Sequence, residues 1–180
     1  MKKYLFIVLL FGIGFGQNSP IDFETGGHGS TWTWTVFEND INPPIEIVEN
    51  PNTSGINSSD FVAKFTALQV GQPWAGCESL HGSDIGTFSL NVNNSTVKIM
   101  VYKTVISDVG LKFVIPSNGS LGEIKVANTL INTWEELTFD FSNHIGLLEA
   151  IGIDQIVVFP DFNTAGRAQD NIIYFDNISF

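Results

Sequence analysis

The sequence predicts an all-β protein, an antiparallel β-sandwich, and two observations carry that prediction. Roughly ten to twelve short apolar runs alternate with clusters of Gly, Pro, Asn, Asp and Ser, the spacing of strands and turns in sandwiches and barrels. Helical periodicity is nearly absent: the one helix-like stretch, 143–151, is short and contains Gly146.

In chain order, the first candidate strand is 21–24 (IDFE). Residues 31–37 (TWTWTVF) alternate strictly at first, which puts Trp32 and Trp34 on one face and threonines on the other. Residues 45–48 are short. Residues 61–66 (FVAKFT) set Phe61, Ala63 and Phe65 on one face. Residues 74–80 follow a Gly71-Gln72-Pro73 turn, and 87–90 are again short. The strongest candidate is 97–103 (VKIMVYK), with Val97, Ile99 and Val101 inward. Residues 110–115, 123–126, 135–141, 155–159 and 172–178 complete the set. No Pro-, Ser- or Gly-rich linker divides the chain, and no internal repeat is visible.

At 180 residues the chain suits one domain plus a targeting segment. Met1-Lys2-Lys3 is a basic start, 4–15 an apolar run, and Gly14-Phe15-Gly16 offers small residues two apart before polar Gln17-Asn18-Ser19. That is the pattern of a secretory signal peptide over 1–16, with a mature domain over 17–180. The run of about 12 residues is short for a bilayer, which takes roughly 20, so no membrane insertion is expected after cleavage. No cysteine follows the run to carry a lipid. Secretion or display at the cell surface is expected, with the periplasm equally compatible.

Charge excludes one class of partner. Eight basic side chains face nineteen acidic ones, a balance of −11, and losing Lys2 and Lys3 with the leader takes it to −13. Such a surface repels phosphate backbones, so nucleic acid is not an expected partner. The single cysteine, Cys77, can form no internal disulfide and reads as a small buried hydrophobe.

Catalytic patterns are missing. The three histidines, His28, His81 and His144, show no zinc spacing, and no nucleophile elbow occurs. Glu135 and Glu136 are adjacent, so on a strand they point to opposite faces and make a poor glycosidase pair. The chain is therefore expected not to be an enzyme. Tryptophan is more informative. Flat aromatic faces stack on the C–H faces of sugar rings, and an exposed Trp32–Trp34 pair is costly unless it binds something. Buried, the same pair needs only partners for its N–H groups. Trp74, after a proline at a strand entrance, fits either role, while Trp134 reads as core. Glu24 and Asp176 lie on the first and last strands, which often meet in a sandwich. There they either stay solvated or require a cation or a proton between them.

The segments IDFE, VENPNTSGINSSDFVAKF, GQPWAG, WEELTFDFS and IYFDNISF occur in this order and cover the whole mature chain. Together they resemble an extracellular β-sandwich module of Bacteroidetes-type bacteria, similar to the galactose-binding-domain-like jelly rolls that include many carbohydrate-binding modules. The resemblance implies a structural calcium ion where the first and last strands meet. Its ligands would be Glu24, Asp176, the carbonyl of Asp22 and the 54–58 loop, from which Asn57 is chosen. This chain closes Asp176-Asn177 where such families often have two aspartates, which weakens the charge at the site. The resemblance also implies a non-catalytic role in binding polysaccharide or oligosaccharide, with Trp32, Trp34 and Trp74 as candidate ligand-binding residues. The module would stand alone or belong to a larger multidomain glycan-processing protein. Two other readings remain: a structural or adhesive surface module, and a small glycan hydrolase or lyase.

Overall fold

The computed structural model describes residues 16–180, so nearly all of the expected signal peptide lies outside the described residues. Ten strands follow in order: β1 Thr35–Phe37, β2 Glu46–Glu49, β3 Phe61–Ala67, β4 Gly76–Glu78, β5 Thr96–Lys103, β6 Asp108–Val114, β7 Ile124–Ala127, β8 Trp134–Asp140, β9 Gln155–Phe162 and β10 Asn171–Ser179. They form two five-stranded sheets, β1-β4-β9-β6-β7 and β2-β3-β10-β5-β8. Every strand pairing is antiparallel. The β-sandwich expected from the sequence is the architecture observed. Among the described residues no helix is long and apolar enough to cross a membrane.

The inner faces obey the period of two. Val97, Ile99 and Val101 of β5, Leu137 and Phe139 of β8 and Ile173 and Phe175 of β10 meet Leu111, Phe113, Ile156 and Val158 of the other sheet in one core. Cys77 is fully buried in it, and burial, aided by the charge of Glu78, pushes its thiol pKa far up. It therefore behaves as a hydrophobe, as read.

Three short expectations contract. Residues 21–24 form no strand: Ile21 alone bridges Ile178, and Phe23 turns at φ 54°. The chain ends still meet, since the Phe23 and Phe175 rings lie 5.5 Å apart, edge to face. In 31–37 only the last three residues pair. Residues 87–90 reduce to a bridge from Phe88 to Ile153. The helix-like stretch becomes two 3-10 turns, Ser142–His144 and Leu148–Ala150.

The two outer faces differ. On the sheet containing β10, the loop after β2 folds back over the outside. There Trp134 Nε1 donates to Asn50 Oδ1 at 3.0 Å and to the Asn52 carbonyl at 2.9 Å. Trp134 is thus buried as expected, but on the outer face and under a loop. On the other sheet, Val114, Val157, Phe159 and Phe162 form a second apolar cluster outside the main core, with Phe37 against it.

Candidate functional site

The outer face of the β1-β4-β9-β6-β7 sheet is built row by row. Strand register aligns Phe37, Gly76, Phe159, Gly110 and Lys125 across the five strands. The glycines make room for Phe159. A Cβ on Gly110 would sit 3.0 Å from the Phe159 ring, and one on Gly76 would sit 2.8 Å from Phe37 and 3.1 Å from Phe159. The next row carries Glu78, Val157 and Lys112. Phe159 meets Phe37 and Phe162 edge to face at 5.7 and 5.8 Å. Phe37, Trp74, Lys112, Glu123, Phe159 and Phe162 line a groove of about 350 Å³. Trp74 is 45% exposed on this groove, whereas Phe159 and Phe162 are its nearly covered floor.

Of the three tryptophans singled out from the sequence, Trp74 therefore stands in a groove with other aromatic side chains. Trp32 and Trp34 are not among its lining residues. They stack on each other with centroids 5.8 Å apart at 25°, and Trp34 packs on Phe23 and donates Nε1–H to the Gly29 carbonyl at 3.0 Å. Both are half-buried against the main core, and His28 lies 6.3 Å from Trp32. Mutual stacking removes much of the exposure that sequence reasoning held against an unliganded pair.

Phe37, Phe159, Phe162, Lys112, Lys125 and Glu123 were not singled out. A signal for them was present. Residues 155–159 are apolar at nearly every position, not at alternate ones, which in an antiparallel sheet means a strand with apolar side chains on both faces.

The carboxylates expected at the chain ends do converge. Asp176 points away from the core beside a β-bulge, with Asn177 at φ 49°. Its Oδ2 accepts hydrogen bonds from Asn57 Nδ2 at 2.9 Å and Asn177 Nδ2 at 3.0 Å, while its Oδ1 is buried with no partner. Burial, reinforced by the nearby negative charge of Glu24, raises the Asp176 pKa to about 6 against the pull of its hydrogen-bond donors. Glu24 Oε1 accepts from the backbone N–H groups of Asp60 at 2.6 Å and Phe61 at 3.1 Å, which ties the loop before β3 to this corner. Asn57 presents its amide nitrogen, not its oxygen, to Asp176. Its Oδ1 accepts from Ser59 N–H at 3.1 Å. The Asp22 carboxylate closes its own turn, accepting from His28 N–H at 3.1 Å and Glu24 N–H at 3.3 Å. Among the described residues no three His, Cys, Asp or Glu side chains gather as a metal cluster.

His81 Nδ1 lies 2.7 Å from Asp154 Oδ1 and its Nε2 lies 3.2 Å from Asn118 Oδ1, so both ring nitrogens have polar partners. His144 packs edge-on against Phe141.

No protein-family model matches the chain, and no curated protein matches it in sequence. Solved structures do match its fold. A family 28 carbohydrate-binding module specific for non-crystalline cellulose aligns over 90% of this chain and 93% of its own, with 14% identity and a TM-score of 0.58. An exo-β-agarase aligns over 89% of this chain, with 10% identity and a TM-score of 0.57. An arabinose-bound α-L-arabinofuranosidase aligns over 92%, with 12% identity and a TM-score of 0.55. The chain spans 24% of the agarase and 26% of the arabinofuranosidase. At such identities the likeness establishes the sandwich fold.

Proposed function

We propose that this chain is a non-catalytic carbohydrate-binding module of an exported bacterial protein, and that the groove around Trp74 holds the polysaccharide. One observation carries the reading. A 45% exposed tryptophan shares a groove on the outer sheet face with the nearly covered rings of Phe159 and Phe162, with Lys112 and Glu123 beside it. A sugar ring needs this pairing: a flat apolar surface for its C–H face and fixed polar groups for its hydroxyls. The fold shared with a cellulose-specific module supports the reading. A signal peptide over 1–16, if cleaved as its pattern suggests, would take such a domain to where polysaccharide is met.

Affinity electrophoresis through gels containing β-glucan, xylan, mannan or alginate tests it. The wild type should be retarded by at least one polymer. Trp74→Ala should lose that retardation by tenfold or more in apparent affinity while melting at an unchanged temperature, because an exposed side chain contributes little to the core. Trp32→Ala should retain binding. Folded wild type that no polymer retards would overturn the proposal.

A structural calcium ion is part of the same reading. The residues present fit it: a buried carboxylate oxygen without a donor is costly, and Ca²⁺ takes carboxylate, amide and backbone oxygens together. Asp176 and Glu24 would supply charge and Asp22 a backbone carbonyl. Asn57 would join only with its amide reversed. The ion would neutralise two facing carboxylates and pin the 50–60 loop across the outer face.

A further inference from the structure

If the aromatic groove binds glycan, as proposed above, the lysines on it and beside it identify the class of glycan. From them we infer that the ligand is an acidic polysaccharide bearing scattered uronate residues, with Lys112 and Lys125 receiving a uronate carboxylate.

The chain carries few cations, and most are committed. Lys64 bonds Glu46 at 2.7 Å and Lys98 bonds Glu136 at 2.7 Å. Lys103 and Arg167 are buried on Asp161 at 3.8 and 2.8 Å. Lys125 has only a loose contact, 3.9 Å, with Glu123. Lys112 is the one described lysine with no carboxylate within 4.0 Å. Among the described residues, the two cations with charge to spare thus stand on the aromatic face of a protein whose net charge is −11.

Both stand on the aromatic face, each over a different ring. Lys125 stands opposite Gly110, and Lys112 is two residues further along β6, so the two are diagonal cross-strand neighbours roughly 7–8 Å apart at the backbone. Lys125 Nζ lies 4.2 Å from the Phe162 ring centroid and Lys112 Nζ lies 5.7 Å from that of Phe159. Both ammonium groups therefore hug the aromatic surface. An anion that reaches them must sit close to the sugar ring itself. A uronate carboxylate is bonded directly to a ring carbon, whereas a sulfate ester stands further out through its bridging oxygen. Glu78 and Glu123 remain on the face as acceptors for hydroxyls. Glu78 is two strands from Lys112, roughly 10 Å. With these carboxylates and the acidic surface around them, one carboxylate between the lysines is matched and a densely charged polymer is repelled.

The test is affinity electrophoresis with four polymers: a glucuronate-bearing xylan, the same xylan after reduction of its carboxyls to alcohols, a sulfated galactan and a neutral β-glucan. We expect the native xylan to bind at least tenfold more tightly than the reduced one. That margin should shrink with added salt. It should vanish in Lys112→Gln/Lys125→Gln, a variant that binds native and reduced xylan alike and melts at the wild-type temperature. Equal retardation by native and reduced xylan, or preference for the β-glucan, would overturn the uronate inference and leave the glycan-binding reading intact. Preference for the sulfated galactan would assign the lysines to sulfate instead and equally overturn it. Retardation by none of the four, nor by mannan or alginate, would overturn both.

Discussion

Two buried aspartates, one served from each end of β10, show how differently this fold treats a carboxylate. Asp161 is enclosed by counter-charge. Arg167 Nε donates to it at 2.8 Å and Asn171 Nδ2 at 2.9 Å, Ser107 Oγ donates as well, and Lys103 Nζ lies 3.8 Å away. Burial alone would raise its pKa, yet the bonds from Asn171 and Ser107 and the charge of Lys103 hold it below the ordinary carboxylate range. Asp176 is equally buried but has two amide donors, a carboxylate neighbour and one oxygen with nothing bonded to it, and its pKa moves the other way. At the first site both carboxylate oxygens have donors within the chain. The second has the composition of a site completed by a cation.

The largest effect expected from this contrast is at the complete site. Arg167 also donates through Nη1 to the Gln72 carbonyl at 2.9 Å and through Nη2 to the Asp161 carbonyl at 2.6 Å, so it ties the β3–β4 loop to β9. Arg167→Ala should cost about 3–5 kcal/mol, because it strands a buried charge. Chemical denaturation measures this directly, and calcium should not restore it. A loss below about 1 kcal/mol would mean that Asp161 is not held as its partners imply.

The next effect is at the incomplete site. Saturating wild type with calcium at a hundred times its dissociation constant should add about 2.7 kcal/mol, read as a rise in melting temperature that a chelator reverses. Asp176→Asn should abolish that response. In chelator, this variant should be at least as stable as wild type, because it removes a poorly compensated buried charge. Asp161→Asn should be destabilised in both conditions. If the two substitutions behave alike, and chelator leaves the wild type unchanged, the contrast between the sites collapses.

How much of this was legible in the sequence follows from range. The sandwich was legible because alternation along 97–103 and turn residues around it are local signals, and they fix which side chains face inward. The approach of Glu24 to Asp176 was expected from their places on the opening and closing segments, and the Ile21–Ile178 bridge brings those segments together. The groove was not legible. Phe37, Phe159 and Lys125 share a row only through the pairing of β1, β4, β9, β6 and β7, and register between distant strands has no local signature. Trp32 and Trp34 drew attention by composition, but their strand begins only at Thr35, so the alternation that put them on one open face does not operate there. The Asp161 network was equally hidden. Lys103 continues the inward series Val97, Ile99, Val101, and an inward lysine is intelligible only once Asp161 is seen opposite it.

The smallest effect separates the sites by pH. Asp161 has a folded-state pKa below its unfolded value of roughly 3.9, so between the two the unfolded chain binds more protons. Its contribution is therefore complete above about pH 4 and is lost as pH falls through the folded pKa. The stability gap between wild type and Asp161→Asn should accordingly stay constant from pH 7 to pH 5 and narrow by on the order of 1 kcal/mol by pH 3, one pKa unit being worth about 1.4 kcal/mol. Urea denaturation at each pH reads the gap, and differencing the two proteins cancels the titration of the other carboxylates. A gap that widens on acidification would mean that burial, and not the ring of donors, governs Asp161. The two aspartates would then be the same kind of site.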